Sequence, residues 1–283
     1  MKIINLYSFI CYSAVLLWIF NPLFIRGYPL KKRDGSLVIY RNSVLNTLLS
    51  FIPISIYERI YPIVYLIEAI EISHITYDIV FYYTIVIQFC WMLTAQLKII
   101  AFKCESCGYE NEEIGNRNDR NYVIYLKQLL SDYTKLHVSI RKFYEIMKSM
   151  TLFTYGYYFN LYITFTYMCI LNYFKNDYVL SVTFAKLLLT ASVVCIDLLI
   201  MCYFYGYLEN QINDVQFAMY SIDWTEKSIE FKKNLLLAMS LNNANRLKMN
   251  ITPQKSLNLE VFASAVRVSY SIISLLVKKT ISK

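Results

Sequence analysis

Residues 178–208 read YVLSVTFAKLLLTASVVCIDLLIMCYFYGYL, a run of 31 positions with two charges, Lys186 and Asp197. A helix needs about 20 mainly apolar residues to cross the hydrocarbon core of a bilayer. Inside lipid the backbone must satisfy its own hydrogen bonds, so an apolar run of this length reads as a spanning helix. Lys186 stands near one end, where a long cationic side chain reaches the outer interface. Asp197 stands deeper. A carboxyl group inside a membrane is a functional-site candidate; the alternative is a helix-end carboxylate wetted by the cytosol.

Similar runs lie on both sides of this one. Ser149–Phe174 carries no charge except at its flanks and holds six tyrosines, Tyr155, Tyr157, Tyr158, Tyr162, Tyr167 and Tyr173. The short stretch Lys175–Asp177 then reads as a turn between two spans. Near the start, Ile3–Ile25 is uncharged and bracketed by Lys2 and Arg26. Its apolar run exceeds that of a signal peptide, and Trp18 and Asn21-Pro22 stand where a cleavage site should be, so it reads as a retained span. Tyr61–Leu97 reads as one long helix. Its half from Ile79 is uncharged, and its first half puts Glu68, Glu71, His74 and Asp78 at helical spacing. Leu257–Val277 is the last span, followed by Lys278 and Lys279. Five spans put the two termini on opposite sides.

Polar segments separate these runs. Residues 26–60 form a basic, proline-containing loop, and 103–121 form a polar loop. Between them and the third span lies an amphipathic helix, 122–148. There Ile124, Leu129, Leu130, Tyr133, Leu136, Ile140, Phe143 and Met147 recur at three- and four-residue steps. Residues 209–256 are soluble again, with a helix expected over Trp224–Leu241 and Asp223 as its cap. The expected fold class is therefore all-α, a polytopic membrane helix bundle with helical extensions. It divides into 1–208, 209–256 and the final helix and tail, 257–283.

Composition agrees. Hydrophobic residues make up 57% and charged residues 17%, against about 25% charged in soluble domains. This excludes disorder, a collagen repeat and a small disulfide scaffold, and disfavours an ordinary cytosolic enzyme. The net charge of +8 suits loops near anionic headgroups. No basic stripe on a soluble module suggests nucleic-acid binding. Tyrosine is over-represented, with 27 residues, as suits interfaces and mixed pockets. Basic residues are about as dense in 26–60 as in 98–148, so the positive-inside rule does not orient the chain. The sequon Asn250-Ile251-Thr252 would report the side of its loop.

Catalytic and metal chemistry has no motif here. Cys104 and Cys107 form the only CxxC, without the further ligands that zinc needs. GxSxG, P-loop, HExxH and GxGxxG patterns are absent, and His74 and His137 have no triad context. Neither an enzyme nor a cofactor is expected. Asp119-Arg120-Asn121-Tyr122 lies in a polar loop, unlike the DRY motif of G-protein-coupled receptors.

The last third carries a distinctive order of residues. Cys202-Tyr203-Phe204 is followed by Gly206. Ala218, Tyr220 and Trp224 come next, then Phe231, Lys233 and Leu235 with Leu236 and Met239. Ser256-Leu257, Glu260, Phe262 and Ser269-Tyr270-Ser271 close the series. This resembles the C-terminal signature of insect odorant receptors: C-Y-F-x-G, A-x-Y-x-x-x-W, F-x-K-x-L, then S-L-x-x-F, whose Phe place holds Glu260 with Phe262 two residues on, and S-Y-S. Asp78, Gln96 and His137 are similar to residues of the family's fourth helix and cytosolic helix. Ile212 departs from the family's small polar residue, and Asn250–Pro253 stands where a glycine is usual. The TYxxxxxQF ending of the related gustatory receptors is absent.

The resemblance implies a ligand-gated cation channel, a heterotetramer with a shared co-receptor, in the plasma membrane as a multi-pass protein. It implies a small volatile ligand, contact with membrane lipid, and no nucleic acid. Residues 209–256 would be cytosolic and join subunits, with Trp224, Leu235, Leu236 and Met239 at that anchor. The final helix would line the pore, with Ile273 and Val277 at its hydrophobic gate. The ligand walls would include Trp18, Tyr77, Phe81 and Phe184. The family has seven spans with the N-terminus inside, and the first span here is similar to the third of them. The expectation is a chain that lacks the first two helices, as from a truncated gene model, alternative transcript or pseudogene. Competing readings are a non-functional truncated membrane fragment, a gustatory-type receptor, and a small transporter or membrane enzyme.

Overall fold

A computed structural model describes residues 2–25, 27–31, 37–45, 52–107, 119–175, 182–244, 247–252 and 254–281. Among these are α1 (Lys2–Phe24), β1 (Gly27–Lys31), β2 (Leu37–Arg41), α2 (Ile54–Ser106), α3 (Asp119–Lys175) and α4 (Val182–Tyr220). Then follow α5 (Ile229–Ala244), β3 (Asn250–Thr252), β4 (Lys255–Ser256) and α6 (Leu259–Ile281). The architecture is an all-α membrane helix bundle. Most of the polar 103–121 loop, the turn residues 176 and 177, and Arg26, Lys32, Arg33 and Pro253 lie outside the described residues.

Among the described residues, four helices are long and apolar enough to cross a membrane: Ile4–Phe24, Ile54–Ser106, Thr183–Tyr220 and Leu259–Thr280. The expected span at 149–174 is helical, as the second half of α3. Its six tyrosines bring phenol hydroxyls that make it less apolar than the other four. Helix boundaries also run past the expected ones. The amphipathic 122–148 segment and the tyrosine-rich segment form one continuous helix, and α4 continues beyond Leu208 to Tyr220. Nothing at Lys148-Ser149 or Leu208-Glu209 stops a helix, since neither glycine nor proline stands there.

The chain divides into two compact units. The first comprises Met1–Ile85, Tyr158–Asp197 and Arg267–Lys283. In it the basic 26–60 segment is not a plain loop. β1 and β2 pair antiparallel, from Gly27 opposite Arg41 to Lys31 opposite Leu37. The start of α2 holds the end of this hairpin. The Tyr57 hydroxyl donates to the Arg41 carbonyl and the Tyr61 hydroxyl to the Asn42 carbonyl, both at 3.0 Å. The Arg41 guanidinium sits 3.9 Å from the Tyr61 ring centroid. Buried Glu68 accepts the Leu45 amide at 2.9 Å. Glu68 thus holds a loop, and its acidic neighbours do not join it: Glu71 is exposed, and Asp78 pairs with His74 at 3.5 Å on the surface.

The second unit comprises Val86–Tyr157 and Leu198–Val266. Its core is a layer of aromatic and aliphatic side chains from α2, α3, α4 and α5. Phe143 stacks on Phe89 at 5.8 Å and on Tyr205 at 6.1 Å. Tyr205 also shares a hydrogen bond of 3.0 Å with Thr151. The buried stripe of α3 is Val123, Leu126, Leu129, Tyr133, Leu136, Ile140, Phe143 and Tyr144. The expected stripe is right at its centre and wrong at its ends. Ile124 is exposed and Met147 half-buried, because a 3.6-residue repeat drifts off a strict three- and four-residue count.

Candidate functional site

The ligand candidates fall in the first unit. Trp18, on α1, is fixed on three sides. Its indole Nε1–H donates to Thr190 Oγ1 on α4 at 2.8 Å. Phe165, on α3, meets the ring edge-on at 6.3 Å. The Lys186 ammonium stands 3.6 Å from its centroid. Tyr77 and Phe81 lie one turn apart on α2 and stack at 6.2 Å, both more than half exposed. Phe184 is half-buried at the start of α4. An open groove of about 470 Å³ runs past Ile19, Ala69, Ile70, Ser73, His74 and Tyr77. Tyr77 therefore lines this groove, whereas Trp18, Phe81 and Phe184 are not among its described lining residues.

Asp197 is resolved in favour of burial. It is 1% exposed and accepts the Tyr7 hydroxyl of α1 at 2.6 Å. Tyr7 meets Tyr83 edge-on at 5.6 Å, and Tyr83 meets Tyr158 at 6.2 Å. The helix-end alternative, a carboxylate wetted by the cytosol, is set aside. A carboxyl group in this position needs a donor, and any of 27 tyrosines could have supplied it. That number is why the sequence alone did not single out Tyr7.

On α6, Ile273 is 7% exposed and Val277 half-buried, while Tyr270 and Leu275 are exposed. Ile273 thus faces its own chain and Val277 is the more accessible of the two. Arg267 is exposed on the same helix.

The signature residues from Cys202 to Phe262 lie in the second unit, and Ser269-Tyr270-Ser271 in the first. Cys202 is fully buried. Phe204 is buried against Trp91, and exposed Tyr203 stacks on Tyr207 at 5.9 Å. Gly206 allows a close helix approach: a Cβ there would stand 3.2 Å from the Asn258 Cβ and 3.3 Å from its Cα. Asn258 caps α6 by accepting the Val261 amide at 3.1 Å. Gly206 and Asn258 thus form a packed junction between α4 and the start of α6.

The expected cap at Asp223 is a correction. Its carboxylate accepts the Thr225 hydroxyl at 2.6 Å and the Thr225 amide at 3.2 Å, closing a turn on itself. That bond from the Thr225 hydroxyl holds the carboxyl below its usual range. α5 starts later, at Ile229, where Ser228 Oγ accepts the Phe231 amide at 3.4 Å. Of the four anchor candidates, Leu235 is buried in its own chain and Met239 half-buried. Trp224 is 46% exposed and Leu236 73%.

Beside them, α3 and α5 line an open pocket of about 340 Å³, with Leu130, His137, Asn234, Leu237 and Leu241 among its walls. Buried Tyr133 donates to Asn242 Oδ1 at 2.6 Å across it, and burial pushes its phenol up to about 12. Lys127 pairs with Glu230 at 2.7 Å and holds that carboxyl below its usual range.

Cys104 and Cys107 are buried free thiols, and no cluster of three or more metal-ligating side chains occurs among the described residues. Among the described residues, four helices long and apolar enough to cross a membrane, with a buried polar pair on two of them, mark a multi-pass helical membrane protein. A family model described as 7tm Odorant receptor matches residues 3–270, almost the whole chain. The chain belongs to the odorant receptor family, which is one of receptors and not of enzymes. No curated protein matches it at a significant level.

Proposed function

We propose that the chain is an odorant receptor subunit that binds a small volatile ligand and gates a cation channel together with a shared co-receptor. The observation that carries this reading is the family match over residues 3–270. The assembly is a heterotetramer in the plasma membrane, in contact with lipid. Trp18, Tyr77, Phe81 and Phe184 contribute to the ligand walls, where apolar and aromatic side chains surround few polar groups. Ile273 and Val277 act as the gate of the pore helix α6, where apolar side chains close a narrow path by dewetting. The segment 209–256 acts as the cytosolic anchor. Its exposed Trp224 and Leu236 offer the apolar contact area that subunit interfaces use.

The test is co-expression with the co-receptor, followed by odour-evoked current recording and surface labelling. The expected outcome is a ligand-dependent cation current that neither chain gives alone to the same odorant. A chain that reaches the surface beside the co-receptor and passes no current to a broad odorant panel overturns the reading.

A further inference from the structure

We propose that the start of α6 is the fixed pivot of the pore helix, and that Glu209 and Lys248 are the positioning residues that clamp it to α4. The inference rests on the channel reading above and goes beyond it.

Lys248 Nζ stands 2.7 Å from Glu209 Oε1. Glu209 is 9% exposed, on α4. A carboxylate buried to that degree is costly unless it is paired. Gly206 lies three residues earlier, on the same face of the helix. A Cβ there would stand 3.2 Å from the Asn258 Cβ, so Asn258 lies directly against α4. Asn258 is also the cap of α6. One face of α4 thus touches both ends of the segment that leads into α6.

That segment is closed on itself. β3 and β4 pair antiparallel, with Asn250 opposite Ser256. The Leu257 amide donates to the Met249 carbonyl at 2.7 Å, and both side chains are buried. Lys248 and Asn258 are the next residues outward on the two sides of this hairpin. The grip of Glu209 on Lys248 therefore passes through it to the first turn of α6.

The rest of α6 is held less firmly by its own chain. Of its most apolar stretch 17% is buried, against 33–44% in the other three candidate spans. Near its far end an exposed hydrogen bond of 2.8 Å joins Thr280 to Tyr167. A helix clamped at one end and loosely packed along its length swings about the clamp. Ile273 lies 14 residues beyond Leu259 on the same helix, about 21 Å away at about 1.5 Å per residue. A tilt of about 10° at the start moves that position by about 4 Å while the clamp stays in place. An apolar constriction opens or closes over such a distance. With the clamp broken, α6 shifts as a whole and its tilt no longer depends on ligand.

The test uses the chain assembled with its co-receptor. Lys248→Met and Glu209→Gln should each raise the ratio of ligand-free to odorant-evoked current by about fivefold or more, the lower end of a typical coupling. Lys248→Arg keeps the ion pair and should stay within about twofold of wild type. A merely structural role lowers surface delivery and both currents together, and an unchanged ratio overturns the proposal. So does a ratio in Lys248→Arg as high as that in Lys248→Met. Hydrogen exchange of the same assembly in nanodiscs tests the clamp without any current. The Leu257 amide should be protected in the wild type, with odorant and without it, and Lys248→Met should speed its exchange by about fivefold or more. A Leu257 amide unprotected in the wild type overturns the proposal whatever the variants do, as does unchanged exchange in Lys248→Met. A protected Leu257 that Lys248→Met releases, in an assembly that passes no odorant-evoked current, overturns the channel reading and keeps the clamp. Odorant-evoked current with an unprotected Leu257 does the reverse.

Discussion

Tyr7 and Asp197 show what a single polar contact does where water is scarce. The phenol donates to the carboxyl at 2.6 Å, and both side chains are buried. Tyr7→Phe leaves the acceptor unpaired and should destabilise the protein by about 1–3 kcal/mol, the range for a buried polar group left unsatisfied. Adding Asp197→Leu removes the orphaned acceptor, so the double variant should recover part of that loss. Thermal unfolding midpoints in detergent check both, and a double variant worse than the sum of the singles would refute the pairing. At the proposed gate the same chemistry runs in reverse. Val277→Ser places a hydroxyl on the accessible side of α6, and a wetter constriction should raise the ligand-free current of the assembled channel. An unchanged basal current would place the gate elsewhere.

Helices here are set by close approaches and caps as much as by apolarity. Gly206 lets α4 approach the N-terminus of α6, with Asn258 at contact distance. Gly206→Ala should cost about 1–3 kcal/mol from overpacking. Asn258→Ala removes the α6 cap and should cost about 1 kcal/mol. The two sites touch, so their effects should not add. Thermal melts of the singles and the double variant measure the coupling, and strict additivity would argue against the shared junction. α3 illustrates a different limit. Its first half was readable as amphipathic and its second as a span, but their fusion into one helix was not. The sequence marks helix ends by caps and breakers, and the absence of a breaker at Lys148-Ser149 says only that a helix is allowed to continue.

Across the whole molecule, topology mapping tests the number of crossings. Four helices meet the length and apolarity of a span, and the tyrosine-rich half of α3 is the fifth expected one. If it crosses, an epitope tag inserted between Asn176 and Asp177 should stain in intact cells. A tag inserted between Glu112 and Glu113 should need permeabilisation. Staining of both under the same condition would mean that α3 does not cross. The class of the protein and the family were legible in the sequence, because apolar run length and the order of C-terminal signature residues are local properties. So was the centre of the α3 stripe. The hairpin at 27–41, its clasp by Tyr57, Tyr61 and Glu68, and the true start of α5 were not legible. Each depends on which of several equivalent donors or caps lies within reach, and 27 tyrosines make that choice degenerate in one dimension. By itself, then, the sequence determined that this is an apolar helical receptor of the odorant family, since hydrophobic run length and spacing decide how a chain partitions into lipid. Only the tertiary structure decided that Tyr7 answers Asp197 and that Trp18 covers Lys186, since pairing between side chains 190 and 168 residues apart is a matter of distance in space.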